Sequence, residues 1–182
     1  AGNDILYVHF SKAMSGTFNA LNLALVDLKE KYPERNFYMI DTKAITALSY
    51  MIVTENGRLA NQGMTAEELV EWSKTEVDKY AIYFYADDLT FFKRSGRVSG
   101  FSGVMGNILG IHPIIHMSSE GKMVNLAKAR GRRTSLNKIV EMVAEIEENI
   151  QDYPVIIAHS DCLEIAQELE KMLKERFGEN LK

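Results

Sequence analysis

The chain has 182 residues, 46% of them hydrophobic and 25% charged, with a formal net charge of −4. This length suits one well-packed core or two small domains, the composition excludes a disordered or low-complexity protein, and the negative charge argues against a nucleic-acid reader. The single cysteine, Cys162, excludes an intramolecular disulfide; no apolar run reaches the roughly 20 residues needed to span a bilayer, and no charged-then-apolar leader opens the sequence, so a cytoplasmic location is expected.

The chain enters almost at once the apolar run "ILYVHF" (5–10), read as a strand. "SKAMSGT" (11–17) follows, and then the helical stretch "FNALNLALVDLKEKYPER". A strand-to-helix junction of this kind exposes the first backbone N–H groups of the helix at the positive end of its dipole, a natural seat for an anion. Ser11, Ser15 and Thr17 offer hydroxyl donors, and Gly16 lets a ligand approach the backbone. Plain N-capping by Ser15 or Thr17 is the structural alternative. Leu21, Leu23, Leu25, Val26 and Leu28 are expected to share a helix face. "FYMIDT" reads as the second strand, and "TAEELVEWSKTEVDKY" as a helix opened by a capping box of Thr65 and Glu68. "AIYFYADD" reads as a third strand, and the alternation implies an α/β architecture.

Beyond Leu89 the style changes to glycine-rich sequence with short apolar runs, and a domain boundary near residue 79 divides the chain into portions 1–78 and 79–182. The "SGRVSG" loop offers Arg97, whose planar fork suits carboxylate or phosphate. In "GFSGVMGNILGIHPII", Phe101, Met105, Ile108 and Leu109 supply apolar surface and the glycines leave space. Core packing is the default explanation there, and lining for an alkyl chain is the alternative. "SSEGK" predicts a hairpin turn between "PIIHM" and "MVNLAKA", and "KARGRR" (128–133) is the one basic cluster, read plainly as a solvated loop or helix start. "TSLNKIVEMVAEIEENI" and "DCLEIAQELEKMLKERF" predict helices, the latter carrying the i, i+4 pair Glu170–Lys174, with "VIIAHS" a strand between them. A C-cap glycine ends "RFGENLK". Both chain ends look abrupt, so a fragment is expected.

Familiar catalytic patterns are missing. Ser15 sits between Met14 and Gly16, without the N-terminal glycine of a nucleophile elbow. His9, His112, His116 and His159 show no metal-ligand spacing, and no Walker A or G-x-G-x-x-G sequence occurs, so neither metal nor cofactor is expected. What remains are residues suited to holding an anion rather than transforming one.

Five segments, in order over about residues 5 to 136, resemble the DegV family of bacterial fatty-acid-binding proteins. "FSKAMSGTFNAL" is similar to the family's Ser-rich loop ending in Ser-Gly-Thr, "MIDT" to its Ile-Asp-Ser strand end, and "DDLTFFKRSGRVSG" to its Asp-Leu…Gly-Arg-Ile segment. "LGIHPII" resembles its Ile-Lys-Pro-Ile run, and "EGKMVNLAKARGRRTSL" its Asp-Gly…Arg-Gly-Lys-Lys stretch. The resemblance implies a two-domain α/β architecture, part of a parallel-sheet domain followed by a mixed α/β domain. It also implies a long-chain fatty acid held between the two domains, its carboxylate at Ser11, Ser15, Gly16 and Thr17 with Arg97 closing from the second domain, and its chain along Phe101, Met105, Ile108 and Leu109. In a branch of the family the acid is presented to a separate kinase that makes an acyl phosphate for phospholipid metabolism. The binder itself is then no enzyme, and Arg130 or Arg132 is expected to dock the kinase. The rival readings are a serine-dependent acyl hydrolase using Ser15 and a DNA-associated regulator acting through "KARGRR".

The chain departs from the family pattern in five places. The opening Thr-Asp-Ser strand, the threonine-bearing segment that follows it and contributes to the family's carboxylate site, and the terminal histidine-bearing, Gly-rich strand are missing, and His159 in "IIAHSD" precedes a long helix and is not that histidine. Ala47 and Leu48 stand where a glycine is usual, and His112 replaces the common lysine before Pro113, which makes charge there pH-dependent.

Overall fold

The computed structural model describes residues 3–99 and 110–182. β1 (Ile5–His9) and β2 (Phe37–Asp41) pair in parallel, in a register that runs from Ile5 opposite Phe37 to His9 opposite Asp41. The crossover between them is α1 (Thr17–Lys31), a stretch free of proline and glycine that stops just before the Tyr32-Pro33 step, where the proline ring disfavours helical backbone in the residue ahead of it. Lys29 and Lys31 lie in its last turn, at the negative end of the dipole. The helix buries Leu25 and half-buries Leu21 and Leu28. Leu23 and Val26 do not share that face: at 3.6 residues per turn they point the other way and are 72% and 65% exposed.

α2 (Thr46–Asn61) and α3 (Ala66–Glu76) follow, and a short 3-10 turn, Val77–Lys79, ends the segment. α2 carries no conspicuous start signal in the sequence. α3 opens on the expected capping box: the Glu68 N–H donates to Thr65 Oγ1 at 3.2 Å, and the Thr65 N–H donates to the Glu68 carboxylate at 2.7 Å. Ala44, Leu48, Ile52 and Val77 form the buried centre here, with Trp72, Tyr80, Ile82 and Met117 packed against it.

The remaining strands are β3 (Tyr83–Tyr85), β4 (Val98–Ser99), β5 (Ile111–Met117) and β6 (Met123–Arg130), hydrogen-bonded in the order β3-β5-β6-β4, with α4 (Thr90–Ser95) between β3 and β4. β5 and β6 form the expected hairpin, closed where the Ser118 N–H donates to the Lys122 carbonyl at 2.8 Å. β4 runs parallel to β6, Val98 opposite Met123 and Ser99 opposite Val124. α5 (Arg132–Ile146) and α6 (Leu163–Phe177) complete the chain. Ile114, Ile139 and Met142 are buried together, and Tyr83, Tyr85, Ala127, Val143 and Leu169 pack against them. Gly178, at φ 104°, follows α6 as its glycine stop, and Lys174 pairs with Glu170 at 2.6 Å.

Backbone proximity groups the residues up to Ile82 with Arg97–Ser99 and His116–Val124 in one compact unit, and the other described residues in a second. The sequence-based boundary after residue 78 assigns the Gly-Arg loop and the hairpin turn to the later portion. Of these, Arg97–Ser99 and the turn group with the earlier unit while Gly96 stays with the later one, because β4 pairs with Met123 and Val124 and because the turn bonds to residues near β1. "VIIAHS" forms no strand: a ladder needs a neighbour, and the Val155 N–H donates instead to the Lys182 carbonyl at 2.8 Å.

The core of the first unit gives a direct test. Ile52 is fully buried, so Ile52→Ala should remove about 2–5 kcal/mol of stability. Urea unfolding should show a lower midpoint with an unchanged slope.

Candidate functional site

In an α/β fold the loops at the carboxyl ends of parallel strands are where ligands are bound. Two such loops leave β1 and β2, and the strand ends are tied together through Asp41. Its Oδ1 accepts from the Lys12 N–H at 3.2 Å and from the Lys43 N–H at 3.0 Å, while the Lys12 ammonium lies 3.7 Å from Oδ2. Lys43, whose φ is 50°, also reaches Asp78 at 2.7 Å.

The first loop carries the hydroxyls singled out above. Ser15 is half-buried and Thr17 exposed; their side-chain oxygens are 2.7 Å apart, and Ser15 Oγ accepts from the Thr17 N–H at 3.2 Å. Gly16 takes the residue position just before α1, at an ordinary φ of −70° and with nothing within 4 Å of where a Cβ would stand. Glycine is therefore not demanded by conformation there; what it supplies is bare, accessible backbone. The first turn of α1 holds no acidic side chain, so its positive end is not neutralised from within the helix.

Ser11 is different in kind. It is 0% exposed, its hydroxyl donates to the Gly121 carbonyl at 2.5 Å and accepts from the Ala13 N–H at 3.2 Å, and its own N–H donates to the Ala44 carbonyl at 2.7 Å. His9, 1% exposed at the end of β1, stacks on Phe10 with centroids 4.5 Å apart and meets the Phe18 ring edge-on at 5.2 Å. Its Nδ1 donates to the Phe10 carbonyl, and among the described residues its buried Nε2 has no partner. Asp41 and Gly121 fall in segments matched to the family, "MIDT" and "EGKMVNLAKARGRRTSL", but no local pattern placed them, or His9, beside this loop.

Arg97 is exposed, preceded by Gly96 at φ 64° and followed by β4, in the same compact unit as the Ser-Gly-Thr loop. Phe101, Met105, Ile108 and Leu109 lie outside the described residues. Arg130 ends β6 and Arg132 begins α5, both exposed. An Arg132 guanidinium nitrogen lies 3.2 Å from Asp87 Oδ2, and Asp87 also accepts from the Tyr85 hydroxyl. Burial first, and the bond to Asp87 second, push the Tyr85 phenol from its ordinary 10.0 up to about 12, with Arg132 opposing. Among the described residues no group of three His, Cys, Asp or Glu side chains is placed to hold a metal ion, and no helix is long and apolar enough to cross a membrane.

Fold and loop together define an α/β protein that presents a hydroxyl-bearing, positively polarised helix start beyond the ends of parallel strands. The model of the DegV family, described as "Uncharacterised protein, DegV family", matches residues 1–182. A DegV domain-containing protein of Clostridium perfringens is 34% identical over 176 residues, covering 97% of this chain and 60% of its own. A DegV family protein from Ruminococcus gnavus, solved with vaccenic acid, superposes with a TM-score of 0.86 at 29% identity over 96% of this chain and 62% of that one. A fatty-acid-binding DegV family protein from Streptococcus agalactiae gives 0.84 at 25% identity, over 98% and 62%. The chain belongs to the DegV family. It spans about 60% of the length of the relatives it matches.

The Tyr85 cluster yields a pH prediction. A phenol raised in the folded state contributes stability that is fully present below its unfolded pKa and is lost as pH rises through about 12. An ultraviolet tyrosinate titration should show Tyr85 titrating late, alongside Tyr83, whose phenol is also raised by burial. Asp87→Asn should bring Tyr85 down toward the ordinary range, and Arg132→Ala should delay it further.

Proposed function

We propose that this protein binds a long-chain fatty acid, with the carboxylate seated on the Ser-Gly-Thr loop, and delivers it to a kinase that forms an acyl phosphate. The observation that carries the reading is the Ser15–Thr17 hydroxyl pair beside bare Gly16, at the acid-free start of a 15-residue helix. Of the pair's two hydroxyl protons one is used between the two oxygens, and the other is left to donate to a carboxylate, where a charge-assisted bond is about twice as strong as a neutral one. Arg97 is assigned to the same head group as a charged fork from the same unit. Family membership supports the class of ligand, as do the vaccenic acid in the Ruminococcus gnavus relative and the fatty-acid-binding description of the Streptococcus agalactiae one.

For the acyl chain the reading keeps Phe101, Met105, Ile108 and Leu109 as its lining, on the family resemblance. Each buried CH₂ contributes about 0.8 kcal/mol, so the chain supplies most of the affinity and the loop supplies orientation. The protein itself does no chemistry in this reading. Ser15 shares its hydroxyl with Thr17, and among the described residues no histidine is bonded to it, which favours a carrier over a serine hydrolase. The kinase step rests on the family resemblance and on Arg130 and Arg132, whose exposure suits an acidic or phosphate-bearing partner.

Ser15→Ala in the full-length protein should weaken fatty-acid binding about ten- to a hundredfold, the loss of roughly 1.5–3 kcal/mol for a bond to a charged group. Titration calorimetry returning the parent affinity would remove the carboxylate from this loop. Arg130→Ala and Arg132→Ala should bind fatty acid as the parent does, and at least one should slow acyl-phosphate formation by the cognate kinase. Weakened acid binding in both, or undiminished phosphorylation in both, would remove the docking role.

A further inference from the structure

The loop that bears Ser15 and Thr17 is held by a contact that no local pattern announces. Ser11 is fully buried, and its one hydroxyl proton is committed to the Gly121 carbonyl at 2.5 Å, across 110 residues of sequence. With the Ala13 N–H on its lone pairs at 3.2 Å, this side chain has no proton left for a ligand. The Met14 N–H returns to the Ser11 carbonyl at 3.1 Å and the Ser11 N–H reaches Ala44 at 2.7 Å, so the loop is pinned just ahead of Ser15.

Gly121 is the other half of the contact. It sits at φ +76° in the hairpin turn, its N–H donating to Ser118 at 2.8 Å, in backbone that side chains rarely adopt. A Cβ added there would stand 2.3 Å from Ser11 Oγ and 3.2 Å from the Lys43 Cα. Glycine is therefore required twice, by conformation and by the closeness of the serine. Lys43 belongs to the loop leaving β2, so the hairpin turn touches both of the loops that leave the carboxyl ends of the parallel strands.

We propose that Ser11 and Gly121 are a positioning pair: the β5–β6 turn sets the Ser-Gly-Thr loop in its carboxylate-binding geometry without either residue touching the ligand. This rests on the carboxylate reading above and reassigns Ser11 from ligand contact to support. A group displaced from its working geometry loses directional hydrogen bonds first, whereas apolar contacts with a flexible chain tolerate small shifts.

The test compares a long-chain fatty acid with its methyl ester, which keeps the chain and loses the charge, on full-length parent, Gly121→Ala, Ser11→Ala and Ser15→Ala proteins. Gly121→Ala and Ser11→Ala should weaken the acid about tenfold or more, the scale of a lost charge-assisted bond, and change the ester less than about twofold. Equal losses for acid and ester would mean general destabilisation, and unchanged acid affinity would mean the loop needs no brace; either overturns the proposal. If Gly121→Ala does not fold, Ser11→Ala, which adds no atoms, decides on the same comparison. Ser15→Ala separates the two levels. A parent-like acid affinity in that variant defeats the carboxylate reading itself, whereas a loss there with none in Ser11→Ala and Gly121→Ala defeats only the positioning pair.

Discussion

The hydrogen bond from Ser11 to the Gly121 carbonyl is the constraint on which the rest of the loop region depends. Strand-to-helix connections usually run over the surface and move more than the elements they join. Here the connection starts with a buried serine, and losing the bond would strand a buried carbonyl and expose the cost of its desolvation. From Ser11 the chain buries Met14, turns outward at half-buried Ser15, and enters α1 at Thr17. Two hydroxyls with the same chemistry thus acquire opposite environments four residues apart. One is sealed and supports, and the other is open and available.

The neighbouring turn after β2 shows what this support holds in place. Lys43 and Thr46 both lie at φ 50°, a region where a β-branched residue such as threonine is under strain. The exposed Lys43–Asp78 pair contributes little against such strain, since exposed ion pairs are weak. Burial does more. Ala44 is fully enclosed, accepts from the Ser11 N–H, and leads into Leu48 and Ile52 at the centre of the first unit's core. Asp41 adds two backbone donors drawn from different loops. Strained backbone persists where its surroundings over-determine it, and these surroundings belong to the loop region where an anion would sit.

Much of this was legible in the sequence wherever a local rule governs. The apolar run of β1, the glycine after α6, the Thr65–Glu68 capping box and the hairpin around "SSEGK" each follow from interactions within a few residues. The strand-to-helix junction at Ser15, Gly16 and Thr17 was legible for the same reason. Ser11 was not, because its partner lies 110 residues away, and three hydroxyls in one short stretch look equivalent until burial separates them. Leu23 and Val26 are apolar like Leu25 but do not share its face, because 3.6 residues per turn carries them round to solvent. "VIIAHS" has strand-like side chains, but a strand exists only through a neighbour, which no single segment can specify.

Among the described α-helices only α3 and α6 carry acidic residues in the first turn, and the starts of α1, α2, α4 and α5 carry none. Acidic residues favour the first turn of a helix, as Glu67 and Glu68 do in α3. α1 has none there, and α5 has none and opens instead on Arg132 and Arg133. Two arginines at the positive end of a helix repel its dipole, and the exposed Asp87 contact with Arg132 offsets this only weakly because solvent screens it. An acid-free first turn is therefore no exception in this chain, and what goes against preference is the pair of arginines that opens α5. In the reading proposed above, negative charge from outside the chain complements two of these starts: a carboxylate at the hydroxyl-bearing start of α1, and an acidic or phosphate-bearing surface at the arginine-bearing start of α5. The two sites then differ in what surrounds the same dipole. Neutral hydroxyls beside bare glycine would give a small, directional cradle, and exposed guanidinium groups a broader, salt-sensitive attraction suited to a partner that must bind and leave.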